Sequence, residues 1–86
     1  MIRQYSNKEI QEIIGERARK YRKNTGMSQK ELSKATGLSL SSIQKFESGK
    51  ANVNLDNFLN ILRALGQIES IDLLFPDQPL SPYINR

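Results

Sequence analysis

Two short helical patterns that meet at a single glycine, within residues 28–50, most restrict the folds open to this chain. Ser28 followed by Glu31 forms a capping box, which satisfies free backbone amides at the start of a helix. The pattern predicts a helix over about 29–36. Gly37 follows, and a glycine can end a helix in the left-handed backbone conformation without a steric penalty. We therefore expect the chain to turn there.

A second short helix is predicted over about 40–47. Ser39 is a favourable cap for its start, and Gly49 stands past its end. Ile43 and Phe46 recur at a helical interval, so they should lie on the buried side of this helix.

The two predicted helices should pack against each other at close range. Leu32 and Ala35 are expected on the inner face of the first helix, and Leu38 points inward from the turn. Ser33 falls where the first helix should cross the second, and only a small side chain permits that approach. The region therefore predicts a compact helix-turn-helix unit.

A longer helix is predicted before this unit, over about 7–24, because Ser6 and Glu9 form another capping box and Gly26 follows its end. Gly15 costs about 1 kcal/mol relative to alanine inside a helix, which predicts close approach of another backbone. The apolar stripe expected to face the core comprises Ile10, Ile13, Ile14, Ala18 and Tyr21.

The rest of the chain predicts two more helices and a tail. A fourth helix is expected over about 55–65, before Gly66, and a fifth over about 68–75. The inward stripe predicted for the fourth helix comprises Leu55, Phe58, Leu59, Leu62 and Leu65. Residues 76–86 carry prolines at 76, 79 and 82, which favours an extended path. The predicted fold is all-α, a compact bundle of five short helices over residues 1–75 with an extended proline-containing tail over 76–86.

Composition narrows the function classes. The 86 residues include no cysteine and no histidine, which argues against disulfides, thiolate zinc sites and the usual nucleophile and base pairs of enzymes. We expect no catalytic residue, no metal and no cofactor. No apolar run approaches the roughly 20 residues of a membrane helix, and no signal peptide is recognisable, so we expect a cytoplasmic protein without a membrane partner.

Charge is distributed unevenly along the chain. Residues 1–50 carry 11 of the 13 basic and 5 of the 9 acidic side chains, a net charge of +6, whereas residues 51–86 carry a net charge of −2. A basic front is consistent with binding to phosphates, and equally with an unevenly charged soluble surface.

These motifs resemble the Cro and phage-repressor-like helix-turn-helix family, the XRE class, over roughly residues 14–65. The chain departs from the family pattern at Ser33, where alanine is usual, and at Phe46, where isoleucine or leucine is usual. The resemblance implies a lambda-repressor-like DNA-binding domain. It rests on Ile14-Gly15, Arg22, Gly26, Ser28-Gln29, Leu32, Gly37-Leu38-Ser39, Ile43, Glu47, Gly49-Lys50 and the helical run 55–65.

The second helix of the unit would then enter the major groove, with the residues on its outer face toward base edges. Lys45 can donate to guanine, Gln44 can pair with adenine, Ser41 can adapt to several bases, and Leu40 can contact a thymine methyl group. Leu40 has the alternative of being simply an exposed apolar residue. The predicted base contacts are Leu40, Ser41, Gln44 and Lys45.

Phosphate contacts are expected from donors at helix starts and from the loop after the reading helix. These are Gln29, Ser39, Ser42, Lys50 and Asn52. Arg19, Lys20 and Lys23 form a basic helix surface, which is more often only solvated. The resemblance also implies an ion pair between Arg22 and Glu47 with a structural role.

One reading helix contacts few base pairs, so a homodimer on a palindromic operator is expected. The candidate dimer or partner surface is Ile68, Ile71, Leu74 and Phe75, and these residues have the alternative of completing the monomer core. The C-terminal residues LLFPDQPLSPYI resemble the ends of HipB-like antitoxins, which repress their own operon and bind a HipA-like kinase toxin. The alternatives are a stand-alone phage-type or stress regulator, or a protein-binding adaptor of the same fold that does not bind DNA.

Overall fold

The computed structural model describes residues 2–77, which form helices and connecting loops. A short 3-10 turn, Ile2–Gln4, precedes the first helix, and a second one, Ile68–Ser70, precedes the last. The predicted all-α, five-helix architecture is confirmed. Of the predicted tail, only Pro76 and Asp77 fall within the described residues. The helices are α1 (Asn7–Asn24), α2 (Gln29–Thr36), α3 (Leu40–Glu47), α4 (Leu55–Ala64) and α5 (Ile71–Leu74).

Local capping explains where the first four helices begin. The Ser28 hydroxyl accepts the Glu31 amide at 3.0 Å, and the Ser28 amide donates to the Glu31 carboxylate at 2.8 Å. Ser6 and Glu9 form the same reciprocal pair at the start of α1. Single side-chain caps begin α3 and α4. A cap of this type stabilises a helix by about 1 kcal/mol, and each depends only on residues three positions apart.

The core lies where α2 meets α3 and α4, and where α1 meets α3. Leu32, Ile43 and Ile61 are fully buried, one from each of α2, α3 and α4. The rings of Phe46 and Phe58 pack at a tilt, with 6.3 Å between their centroids. Burying one such side chain stabilises the folded state by about 1.5–3 kcal/mol. Ile43 and Phe46 therefore hold α3 against the rest of the protein.

Two glycines let the end of α3 dock directly on α1. A β-carbon at Gly15 would lie 2.7 Å from the Glu47 carbonyl oxygen and closer still to that of Phe46. A β-carbon at Gly49 would lie 2.6 Å from the Glu12 α-carbon. The close backbone approach predicted at Gly15 is therefore its contact with the last turn of α3.

The buried face of α1 differs from the predicted apolar stripe. Ile14 and Tyr21 were expected in the core but are 37% and 46% exposed. The reason is that Gly15, Ala18 and Arg22 make the closest contact with α3, which places Ile14 and Tyr21 at the border of the interface. Within the predicted stripe only Ala18 is buried, and Ile10 and Ile13 are half-buried.

Packing also changes the expected faces of α2 and α4. Ala35 is exposed, because α2 turns Leu32 and Thr36 inward instead. Leu55 is exposed at the first turn of α4, beyond the edge of the core, whereas Ile61, outside the predicted stripe, is completely buried. The inward face of α4 is therefore centred on Ile61 and Leu65.

The fifth helix is shorter than predicted. A 3-10 turn, Ile68–Ser70, leads into a single α-helical turn, Ile71–Leu74. Neither element has a side-chain cap at its start. Pro76 follows at once and disfavours helical backbone at Phe75, whose φ and ψ are −133° and 76°.

Candidate DNA interface

The turn between α2 and α3 is fixed by side chains as well as by Gly37. Gly37 has φ 76° and ψ 4°, in the left-handed region. The Thr36 hydroxyl donates to the Leu32 carbonyl at 2.8 Å and accepts the Leu38 amide at 3.3 Å. The Ser33 hydroxyl donates to the Leu38 carbonyl. These bonds hold α3 at one angle to α2.

Ser33 and Thr36 therefore have a larger part in the turn than the sequence predicts. Ser33 was predicted only as a small residue at the helix crossing, and Thr36 was not singled out. A local signal for Thr36 is present in the sequence: it is a hydroxyl residue directly before a glycine that ends a helix. Such side chains form hydrogen bonds with neighbouring backbone groups.

The two sides of α3 are clearly distinguished. Ile43 and Phe46 are buried against the rest of the protein. Four residues on the other side reach solvent, with Leu40 40% exposed. They are the predicted base-contacting residues Leu40, Ser41, Gln44 and Lys45. A helix of this kind is about 10–12 Å across with its side chains, which fits the roughly 12 Å width of the DNA major groove.

The start of α3 offers several hydrogen-bond donors to an anion. The Ser39 hydroxyl accepts the Ser42 amide at 3.0 Å and lies 2.9 Å from the Ser42 hydroxyl. Because two hydroxyls share one hydrogen bond, one hydroxyl proton of the pair remains to be donated. The free amides at a helix N-terminus favour negative charge, so this end is suited to a phosphate.

Gln29, another predicted phosphate contact, also forms a hydrogen bond within the protein. Its side-chain amide donates to the Glu47 carboxylate at 3.0 Å, and the residue is half-buried. A carboxamide has two donor hydrogens and an acceptor oxygen. One donor can therefore be held by Glu47 while the other remains for a phosphate.

Arg22 and Glu47 form an ion pair within the protein. Arg22 Nε lies 2.6 Å from Glu47 Oε2, and Nη2 lies 3.1 Å from Oε1. The remaining Nη1 donates to the Met27 carbonyl at 2.8 Å. Both residues are buried, so the network ties α1, the loop before α2 and the end of α3 together.

Lys50 and Asn52 lie in the loop after α3, and both are exposed. The Lys50 amide donates to the Lys45 carbonyl at 2.9 Å, so the start of this loop is anchored to α3. Gly49, which precedes it, packs on α1. The lysine side chain is thus carried on a fixed backbone at the end of the exposed helix.

The predicted partner surface is divided between two environments. Ile68 and Ile71 are half-buried, whereas Leu74 and Phe75 are 63% and 82% exposed. Leu73, which was not predicted, is also exposed. Three consecutive apolar side chains therefore reach solvent at the end of α5.

The described part of the chain has a groove, but no metal-binding cluster and no membrane-spanning helix. Between residues 2 and 77 no cluster of acidic, histidine or cysteine side chains has the arrangement to hold a metal ion. No helix there is long and apolar enough to cross a membrane. A groove of about 320 Å³ lies between α1 and α4, lined in part by Ile14, Phe46, Leu55 and Phe58.

Comparison with known families places most of the described helices in a recognised family. A family model described as helix-turn-helix matches residues 19–73, which is more than half of the chain. The match spans the last third of α1, all of α2, α3 and α4, and most of α5. A search of curated proteins finds no match to the chain.

Proposed function

The chain belongs to the helix-turn-helix family of Cro and phage-repressor type, a class of DNA-binding transcription regulators, and we propose that it is a sequence-specific regulator that reads double-stranded DNA through α3. Within this proposal, Leu40, Ser41, Gln44 and Lys45 contact bases. The phosphate contacts are Gln29, Ser39, Ser42, Lys50 and Asn52.

One observation carries this proposal. Leu40, Ser41, Gln44 and Lys45 are exposed on one side of a helix whose other side is held by Ile43 and Phe46 in the core. Exposure alone would suit any surface. Here the exposed polar groups also stand between a donor-rich helix start and the cation Lys50, the arrangement that phosphates on both sides of a groove require.

A binding titration with labelled duplexes tests the proposal. We expect the protein to bind its own promoter DNA more tightly than random duplex at physiological salt, by about 10³-fold or more. A variant with Gln44→Ala and Lys45→Ala should lose that preference. Arg63→Ala is the matched control, because Arg63 is an exposed cation on α4. Equal affinity of the wild type for promoter and random DNA would contradict sequence-specific reading and favour the adaptor alternative.

A homodimer on a palindromic operator is part of the proposal. A single eight-residue reading helix contacts few base pairs, and two copies related by a two-fold axis would read half-sites about 34 Å apart. The exposed Leu74 and Phe75, together with Leu73, support a contact surface at α5. In a sedimentation measurement the wild type should be a dimer, and the Leu74→Lys variant should be a monomer. A wild-type protein that binds its operator as a monomer would contradict the proposed homodimer.

The regulatory context proposed is an autorepressing antitoxin that binds a HipA-like kinase. It is supported by the resemblance of the C-terminal residues LLFPDQPLSPYI to HipB-like antitoxins, of which LLFPD falls within the described residues. Co-purification with the product of a neighbouring kinase gene tests it. Failure to co-purify would favour a stand-alone phage-type or stress regulator.

A further inference from the structure

Arg19 and Lys23 are two exposed cations on α1 that stand one helical turn apart, on either side of the buried Arg22 in the sequence. Within residues 2–77, neither forms a salt bridge; the pairs present there are Lys20 with Glu16 and Arg22 with Glu47. Both cations therefore keep their charge available to a partner.

The packing of α1 on α3 fixes where these two side chains stand. Gly15 contacts the last turn of α3, and Glu12 is covered by Gly49 just after it. At 3.6 residues per turn, Arg19 follows Gly15 by one turn and Lys23 follows Arg19 by another, so both continue this strip. They therefore lie on the part of the strip that runs from Gly15 away from Glu12 and Gly49.

The opposite border of the α1 interface faces a different helix. Ile14, Ala18 and Tyr21 line a groove whose other wall includes Phe58 and Leu62 of α4. Arg19 and Lys23 do not take part in that groove. They accordingly project from the side of α1 that is turned away from α4.

Two residues already proposed to bind phosphate are tied to the α1–α3 contact. Gln29, at the start of α2, donates to Glu47, the same carboxylate that pairs with Arg22, which is next to Lys23 in the sequence. Lys50 follows Gly49 at the other edge of the α1–α3 contact. The α1–α3 contact thus has Lys50 near Glu12 at one end, and the strip of α1 that carries Arg19 and Lys23 leads away from its other end.

We propose that Arg19 and Lys23 bind DNA backbone phosphates and extend the contact edge that begins at Gln29. The inference rests on the proposed DNA binding through α3. With α3 in the major groove, the strand that borders the groove at the Gln29 side would pass the C-terminal half of α1. Long flexible cations contact phosphates without reading sequence. Their effect is therefore on affinity and salt dependence, and not on base preference.

A salt titration with a matched pair of variants tests the proposal. The test variant carries Arg19→Gln and Lys23→Gln. The control carries Lys8→Gln and Arg17→Gln, which removes the same charge from other positions of the same helix, where both residues are also exposed and form no salt bridge within residues 2–77. The probe is a random-sequence duplex, followed by fluorescence anisotropy at several salt concentrations, and the urea unfolding midpoint is measured for each protein.

Each lost phosphate contact lowers the slope of log affinity against log salt by about 0.9. We expect the test variant to lower it by about two and to weaken binding roughly tenfold or more at physiological salt, with an unchanged unfolding midpoint. A variant with Arg19→Lys and Lys23→Arg should keep the slope of the wild type, because both positive charges are retained. The control should keep a slope close to that of the wild type.

Three outcomes overturn the inference. An unchanged slope in the test variant, while Lys50→Ala still lowers it, rejects the Arg19 and Lys23 contacts and leaves the proposed function standing. Equal slope loss in test and control variants shows a general effect of net charge and rejects a located contact. A wild type that binds no duplex at any salt concentration rejects the inference together with the proposed function.

Discussion

Arg22 and Glu47 form a buried, two-bond ion pair that joins the first and third helices, with 2.6 Å between Nε and Oε2 and 3.1 Å between Nη2 and Oε1. Every guanidinium nitrogen of Arg22 has an acceptor, since Nη1 donates to the Met27 carbonyl. Glu47 also accepts the Gln29 amide. The residue that ends the exposed helix is therefore the same one that holds the start of α2.

Removing one partner of this pair should be costly. Glu47→Gln leaves the Arg22 charge buried without a counter-charge, and such changes cost about 3–5 kcal/mol. The free energy of unfolding in urea measures it. Glu16→Gln is the control, because the Glu16–Lys20 pair is exposed at 3.8 Å and should be worth under about 1 kcal/mol. A loss for Glu47→Gln as small as the control would show that the pair is not structural.

Gly15→Ala should destabilise the protein although alanine is the better helix former. The change gains about 1 kcal/mol in helix propensity, but its β-carbon would meet the Glu47 carbonyl oxygen at 2.7 Å. Forcing α1 and α3 apart should cost about 3 kcal/mol, the upper end for overpacking, because the β-carbon would meet backbone atoms that cannot turn aside, and this cost exceeds the gain. Urea unfolding measures the net change, with Glu16→Ala as the exposed control. A stabilised Gly15→Ala protein would contradict the close packing.

Gly37 and Gly49 form a matched pair for separating backbone strain from packing. Both have a left-handed backbone, with φ of 76° and 74°. Alanine at Gly37 meets open space and should cost about 1–2 kcal/mol from the backbone alone. Alanine at Gly49 should cost clearly more, because its β-carbon would lie 2.6 Å from the Glu12 α-carbon. Equal unfolding free energies for the two variants would refute the Gly49–α1 contact.

Lys45 and Lys50 should affect DNA binding in different ways. Lys45→Ala should change which base is preferred at one operator position, by about 1–3 kcal/mol of discrimination, since Lys45 lies on the exposed side of α3. Lys50→Ala should weaken all sequences alike and lower the salt slope by about one. Titrations of operator and random duplexes at several salt concentrations measure both. Identical behaviour of the two variants would reject these separate roles.

Acid should weaken the start of α2 through Glu31. The hydrogen bond from the Ser28 amide holds the pKa of the Glu31 carboxyl below its ordinary value of 4.5. Because the pKa is lower in the folded state than in the unfolded state, the ionised carboxylate stabilises the fold. This stabilisation is complete at pH values above the ordinary pKa and is lost as the pH falls through the lowered pKa. Urea unfolding from neutral pH to about pH 3 should show a smaller acid-dependent loss for Glu31→Gln than for the wild type. The same loss in both proteins would contradict the role of this capping box.

The limits of the first three helices could be predicted from the sequence because their signals are local. Ser6 with Glu9, and Ser28 with Glu31, bond across three residues and need no other part of the chain. The same locality explains the turn at Gly37. The outward placement of Leu40, Ser41, Gln44 and Lys45 followed as well, because Ile43 and Phe46 mark the opposite side of so short a helix.

Tertiary structure alone decided which faces are covered and which residues meet. The sequence placed Ile14 and Tyr21 in the core, but α1 rests on Gly15, Ala18 and Arg22, because close contact between backbones favours small residues and an ion pair fixes the spacing. The bond between Gln29 and Glu47 joins residues 18 positions apart, and no local pattern reports such a distance. Hydrogen bonds to near neighbours set the ends of these helices, whereas the rotation of each helix depends on the shape of the others.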